Sequence, residues 1–443
     1  MSLRFDVEWN EAPGVDDVIL APTWGRLAIE LTAQNTPICA TSAIHPETGY
    51  RKGVYGAWFP LARWLVSNYW NLLYEVPLSE RLLSARTVTG TTAHVRWMQR
   101  HNILCGREGF SLPDLTFSSD DSRVAIAVFP DAGSVAERPL SFVTNAAVSL
   151  PREEVENGIG TFIEAVLERL RGVDHADAEA LREDWAALLD SRQNENALCQ
   201  WAARLGLDPY DPDELSDELV AFLESHVSLL SAPLREDVLD AGWQPGTLIP
   251  GVEWVEEHVV PRNGRKSKSS YRPTDPFASA HTVAYARARS LRKKLRLEPG
   301  CNVLYEVEKN IGFGLEHEQI VSNVPSHINA ALFADDDGTP VIVGPELHHD
   351  RRVFRWARAL NLWEFGCAGD SPRLVTTSHA RQQRESRAFA VELLAPAREL
   401  ARKLGGVEVS EDDLVNLSNE FGVGSQLIRY RIENHKLAVV SEP

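Results

Sequence analysis

The residues best equipped for chemistry lie late in the chain. Glu346-Leu347-His348-His349-Asp350 is followed, beyond one long stretch, by His379 and Glu385. Neutral imidazoles and carboxylates are ligands that zinc takes. A metal site assembled from His348 or His349 with Asp350, His379 and Glu385 is therefore one reading. The other keeps them as loop histidines at a helix N-terminus. Histidines at i and i+1 leave a helix on different faces, so the His-Glu-x-x-His geometry, two imidazoles one turn apart, is missing. The intervening RRVFRWARALNLWEFG, residues 351–366, has the period of an amphipathic helix and holds no histidine. Arginines crowd this region: Arg351, Arg352, Arg355, Arg358, Arg381, Arg384 and Arg387. Guanidinium forks match carboxylates and phosphates, and the 351–355–358 spacing puts three on one helix face. Two readings follow. In one, Arg351, Arg355, Arg358, Arg384 and Arg387 line a cleft for an anion or an acidic partner loop. In the other, the arginines neutralise acids of the same chain, among them Glu364 and Glu392. A formal charge of −18 favours internal neutralisation. Glycine-rich phosphate loops, a dinucleotide fingerprint and a nucleophile elbow are absent.

The same charge repels nucleic acid, so binding there requires a local basic face. Such runs occur at 262–272 (RNGRKSKSSYR) and 287–296 (RARSLRKKLR), and both read as solvated faces or linkers. Five widely spaced cysteines (Cys39, Cys105, Cys199, Cys301, Cys367) form no CxxC pair. They fit reduced thiols in a cytoplasm better than a disulfide frame or a cysteine zinc site. The opening MSLRFDVEWNEAPG does not read as a signal peptide, and no apolar run predicts a membrane span. No cofactor is implied.

The elements that must position these residues belong to an α+β, multi-domain chain. Residues 1–150 read as an N-terminal α+β domain of unassigned role. Its β-rich runs are VAIAVF (124–129) and LSFVT (140–144), and a helix spans 58–77. The aromatics of that helix (Trp58, Phe59, Trp64, Tyr69, Trp70, Tyr74) suit a core rather than a base-stacking platform. Residues 151–250 form a helical module, acidic outside, with helices over 151–172 and 177–190 and two more to follow. Residues 251–276 read as a linker or mobile loop. Residues 277–443 hold a helix, a hairpin turning at Asp335–Gly338, the 351–366 helix, a helix over 382–404, and two closing helices about Gly422–Gly424.

The last segment resembles the C-terminal peptidase domain of the ImmA/IrrE-type metallopeptidases. The resemblance is carried by GTPVIVG (338–344), RRVF (351–354), ESRAFAVELLAP (385–396) and LSNEFGVGSQLIRYRIENHKL (417–437), and covers roughly 280–437, about a third of the chain. It implies a zincin-like fold in which Arg358 occupies the first zinc histidine's position, Ala359 that of the catalytic glutamate and Leu362 that of the second histidine. Glu385 alone matches the third ligand. A guanidinium does not surrender its proton to bind metal, and leucine has no lone pair. The family's zinc-hydrolase mechanism cannot run on these residues. The resemblance thus implies a catalytically inactive pseudo-peptidase, a regulatory or scaffolding subunit that binds a protein partner in a bacterial defence, stress-response or mobile-element system. An Arg358–Glu385 ion pair is expected to replace zinc between the two helices. Two alternatives are carried forward. One is a divergent zinc metallopeptidase with relocated ligands. The other is a DNA-binding regulator using 262–272 or the closing helix pair (425–436), whose second helix offers Gln426, Arg429, Tyr430 and Arg431.

Overall fold

The structure is a computed structural model that describes residues 2–33, 36–79, 91–131, 140–242, 245–259, 278–298, 301–366, 371–404 and 408–441. The chain divides into two compact units, 1–223 and 224–443.

In the first unit, β1 (Ser2–Trp9), β2 (Trp24–Ala33), β3 (Thr36–Cys39), β4 (Ala43–His45), β5 (Gly49–Arg51) and β6 (Val54–Ala57) lead into α1 (Phe59–Ser67), α2 (Tyr69–Tyr74) and α3 (Thr92–His101). Four strands follow: β7 (Asp114–Asp120), β8 (Arg123–Phe129), β9 (Ser141–Phe142) and β10 (Ala146–Pro151). Then come α4 (Arg152–Arg169), α5 (Ala176–Asn194), α6 (Asn196–Arg204) and α7 (Asp217–Ser225). β2 is the hub of one antiparallel sheet, pairing with β1, β3 and β6, and two smaller sheets run β10-β8-β7 and β5-β4-β9. β1 alternates as a half-buried strand should, with Leu3 and Phe5 inward and registered opposite Leu31 and Ile29. α4 lays Val155, Ile159, Phe162, Ile163 and Val166 into the same core. Each such side chain contributes about 1.5–3 kcal/mol on burial.

That packing moves the first expected boundary. Helices after residue 150 share one core with β1 and β2, because the apolar stripes of α4 and α5 are covered by that sheet and by α1 and α2. The helix expected over 58–77 is two, broken at Asn68 (φ −112, ψ 9). Its aromatics are core residues, with Trp58, Phe59, Tyr69, Trp70 and Tyr74 all buried.

The second unit contains α8 (Ala232–Ala241), α9 (Pro245–His258), α10 (Ala280–Lys294) and α11 (Val303–Ile311). It continues with β11 (Glu318–Ile320), β12 (Ile328–Ala334), β13 (Pro340–Gly344), α12 (His349–Phe365), β14 (Arg373–Thr376), α13 (Arg381–Leu394) and α14 (Ala397–Lys403). β15 (Glu408–Val409), α15 (Glu411–Phe421), α16 (Ser425–Asn434) and β16 (Val439–Val440) complete it. Part of the expected linker is ordered helix, since 251–258 is the second half of α9. Residues 260–276, with the basic stretch 262–272, lie outside the described residues.

The sheet order is β11-β13-β12-β14, with β11 parallel to β13 and the other pairs antiparallel. The β12–β13 hairpin turns where expected: Asp335 Oδ1 accepts from the Asp337 and Thr339 amides, and Gly338 takes φ +79. α12 and α13 pack on each other, and α10 lies along α13. Their core holds Val353, Trp356, Ala359, Leu360, Leu362, Phe389 and Leu393. Among the described residues no helix is long and apolar enough to cross a membrane.

Candidate functional site: the polar layer between α12, α13 and β14

α12 presents its polar face to α13 and to the end of β14. Arg358, at its centre, is 4% exposed. Its Nε donates to Ser386 Oγ at 3.1 Å, and its Nη2 to the Thr376 carbonyl at 2.7 Å and to Gln383 Oε1 at 2.8 Å. All three acceptors are neutral, and no carboxylate pairs with this guanidinium among the described residues. Burial, and second the nearby Arg387 charge, draw its pKa well below the usual guanidinium value.

The expected Arg358–Glu385 ion pair is therefore absent. Glu385 turns to two other arginines: Oε2 accepts from Arg287 Nη1 at 2.7 Å, and Oε1 from Arg381 Nε at 3.0 Å. The physical reason is α10. It runs beside α13 and supplies Arg287 to Glu385, while Arg381 lies one turn before Glu385 on the same helix. The run 287–296 is solvated in part: Arg289, Lys293, Lys294 and Arg296 are exposed, whereas Arg287 and Arg292 are buried. Arg292 reaches Glu399 at 2.5 Å and the Leu393 carbonyl at 2.7 Å.

The remaining arginines disperse rather than converge on one cleft. Arg351 is exposed. Arg352 and Arg355 both bond the Glu318 carboxylate of β11, and Arg355 also donates to the Pro345 carbonyl at 2.6 Å. Arg387 donates to the Ser378 carbonyl at 2.9 Å, with His379 Nδ1 at 3.5 Å from its Nη2. Arg384 lies on α13 and is partly buried. Glu392 is held between Arg289 and Arg431, joining α10, α13 and α16. Burial raises the pKa of Glu364, with Lys294 acting against it.

No family profile matches this chain, and no curated protein matches it.

The other expected residues separate in the same way. Ala359 and Leu362 are fully buried in the apolar core. His348 is exposed and pairs with Asp350 Oδ1 at 2.6 Å, so Asp350 serves as a helix-start carboxylate whose pKa that bond lowers. Among the described residues, no three His, Cys, Asp or Glu side chains lie together as ligands would. In the closing helix pair, Arg431 is buried and Arg429 is paired with Glu411, while Gln426 and Tyr430 bond each other at the surface.

Sequence reasoning missed the residue that organises the layer. Gln383 is fully buried. Its Nε2 donates to the Leu374 carbonyl at 2.7 Å, and its Oε1 accepts the Thr376 amide at 3.0 Å. β14 is an outer strand, so these groups have no strand partner on that side. Asp237 of α8 accepts the Leu374 amide at 2.9 Å and grips Arg373 through two bonds of 2.7 and 2.8 Å. With Arg358 on the Thr376 carbonyl, three side chains satisfy the free edge of β14. The available signal was weak: a glutamine among arginines in RQQRESR, on what proves to be the inner face of α13.

Proposed function

We propose that this chain is a catalytically inactive member of the ImmA/IrrE-like group, a pseudo-peptidase that acts by binding a protein partner. One observation carries the reading. The position assigned to the first zinc ligand holds Arg358, whose Nε and Nη2 are bonded to neutral acceptors inside the protein. Three further features support it. Ala359 and Leu362 are packed in apolar core, and the carboxylate of Glu385 is engaged by two guanidiniums. Metal binding there would require a proton to leave an arginine and Glu385 to abandon both cations. The lost zinc cross-link is replaced by a chain of polar contacts through Arg358, Gln383 and Ser386, with Glu385 tied instead to α10. A regulatory or scaffolding role in a defence, stress-response or mobile-element system is the function proposed for such a domain. The N-terminal unit would then supply surface for the partner.

The test combines metal analysis with peptide cleavage and affinity capture from the native source. The expected result is metal far below stoichiometric, no chelator-sensitive proteolysis, and a protein retained by the full chain. Stoichiometric zinc that disappears on substitution of His348, His349 or His379, together with cleavage that chelators abolish, would refute the proposal in favour of a relocated metal site.

A further inference from the structure

The first unit buries an ionisable cluster of Glu75, Arg100 and His101. Glu75 follows α2, and Arg100 and His101 close α3. Glu75 and His101 are both buried, the ring of His101 completely. Arg100 holds the carboxylate through Nε to Oε2 at 3.0 Å and Nη2 to Oε1 at 2.7 Å, and Asn71 donates to Oε2 at 3.1 Å. The imidazole lies between two oxygens. Its Nδ1 is 3.0 Å from the Phe117 carbonyl of β7, and its Nε2 is 3.1 Å from Glu75 Oε2. Trp97 stacks on the ring at 4.0 Å and 8°.

A carbonyl oxygen only accepts hydrogen bonds, and so does an ionised carboxylate. A neutral imidazole carries one N–H. Neutral His101 beside ionised Glu75 would set a ring lone pair against an oxygen lone pair where no water reaches. We propose that the Glu75–His101 pair keeps an additional proton in the folded chain at neutral pH, lodged between Nε2 and Oε2, and that the N-terminal unit is thereby a proton-dependent fold. Among the described residues the other charged group facing the pair is Arg100, behind which Asp208 acts on Arg100 rather than on the ring. Burial, the largest influence, holds the His101 ring below its ordinary pKa despite the Glu75 and Phe117 contacts; the additional proton follows from the geometry alone, in which no neutral tautomer satisfies both facing oxygens. On Glu75 burial pushes upward, and the bonds from His101 and Arg100 pull it down. Because one proton is shared, the two groups titrate as a pair.

The extra proton makes the folded unit less stable as pH rises. Above the ordinary histidine pKa of about 6.5, the unfolded chain carries one proton on these two side chains, while the folded chain carries two. Stability is then complete below about pH 6.5. It falls as pH rises toward the folded pair's own titration, by up to about tenfold in the folding constant per pH unit.

Pulse proteolysis of the full chain in urea, read peptide by peptide over residues 92–120, measures this unit alone. Between about pH 6 and pH 9 the wild-type folding constant should decline by up to about tenfold per unit more steeply than that of Glu75→Gln or His101→Gln. Nitrogen NMR of histidine-labelled wild-type chain, which depends on no variant folding, should show His101 with a proton on Nδ1 and a shared one on Nε2 at neutral pH. Parallel pH profiles, or a bare ring nitrogen beside an ionised Glu75, would overturn the proposal.

Discussion

Truncating Glu385 tests the polar layer most directly. Its carboxyl group is 9% exposed, and Arg287 beside it is 10% exposed. Solvent screens neither, so the change to alanine strands a desolvated guanidinium rather than a surface charge. Removing one member of such a pair costs about 3–5 kcal/mol. At 1.4 kcal/mol per factor of ten, that is roughly a thousandfold in the unfolding constant, against a total of about 5–15 kcal/mol for a domain. Two double-mutant cycles then separate the partners. Arg287→Ala with Glu385→Ala should show a coupling of about 2–3 kcal/mol, at the upper end of what contacting residues give. Arg358→Ala with Glu385→Ala should couple by no more than about 0.5 kcal/mol, because Arg358 spends its Nε and Nη2 donors on Ser386, Gln383 and Thr376. The assay is pulse proteolysis in urea resolved by peptides from the second unit, since two units need not unfold together. A coupling of about 2 kcal/mol or more for Arg358 with Glu385, or one near zero for Arg287 with Glu385, would refute the assignment of partners.

Two more substitutions probe the frame. Gly158→Ala brings a Cβ to 2.3 Å from the Leu3 carbonyl oxygen, where α4 crosses β1. That overpacking costs about 1–3 kcal/mol and should outweigh the helix-propensity gain of about 0.5–1 kcal/mol, and an unfolding midpoint at or above wild type would contradict the close approach. Gln383→Leu leaves the Leu374 carbonyl and the Thr376 amide unsatisfied, at about 1–3 kcal/mol each. Exchange of the Thr376 amide should accelerate as its bond is lost, and unchanged exchange would count against Gln383 as its partner.

How far the sequence carried depends on what each element answers to. Helix α12, the β12–β13 hairpin and the α15–α16 pair were legible because apolar period, an Asp-rich Gly turn and a Gly-x-Gly stop are local signals. The break at Asn68 was not, since the residues on either side of it are equally apolar. α3, which carries His101, escaped because its mean hydropathy is low and only Trp97 and His101 point inward. That Arg358, Ala359 and Leu362 offer a metal no donor follows from side-chain type alone. The partner of Glu385 did not. It depends on α10 running alongside α13, a tertiary arrangement that no spacing within 351–394 encodes.

The amide of Gln383 imitates a peptide group, giving an N–H to Leu374 and taking one from Thr376 as a neighbouring strand would. Growth of this sheet by an incoming chain therefore has a polarity. The β14 margin is spoken for by side chains from α8, α12 and α13, so any ligand that recognises the sheet through its backbone must align with β11, only three residues long, where Ile320 stands half exposed.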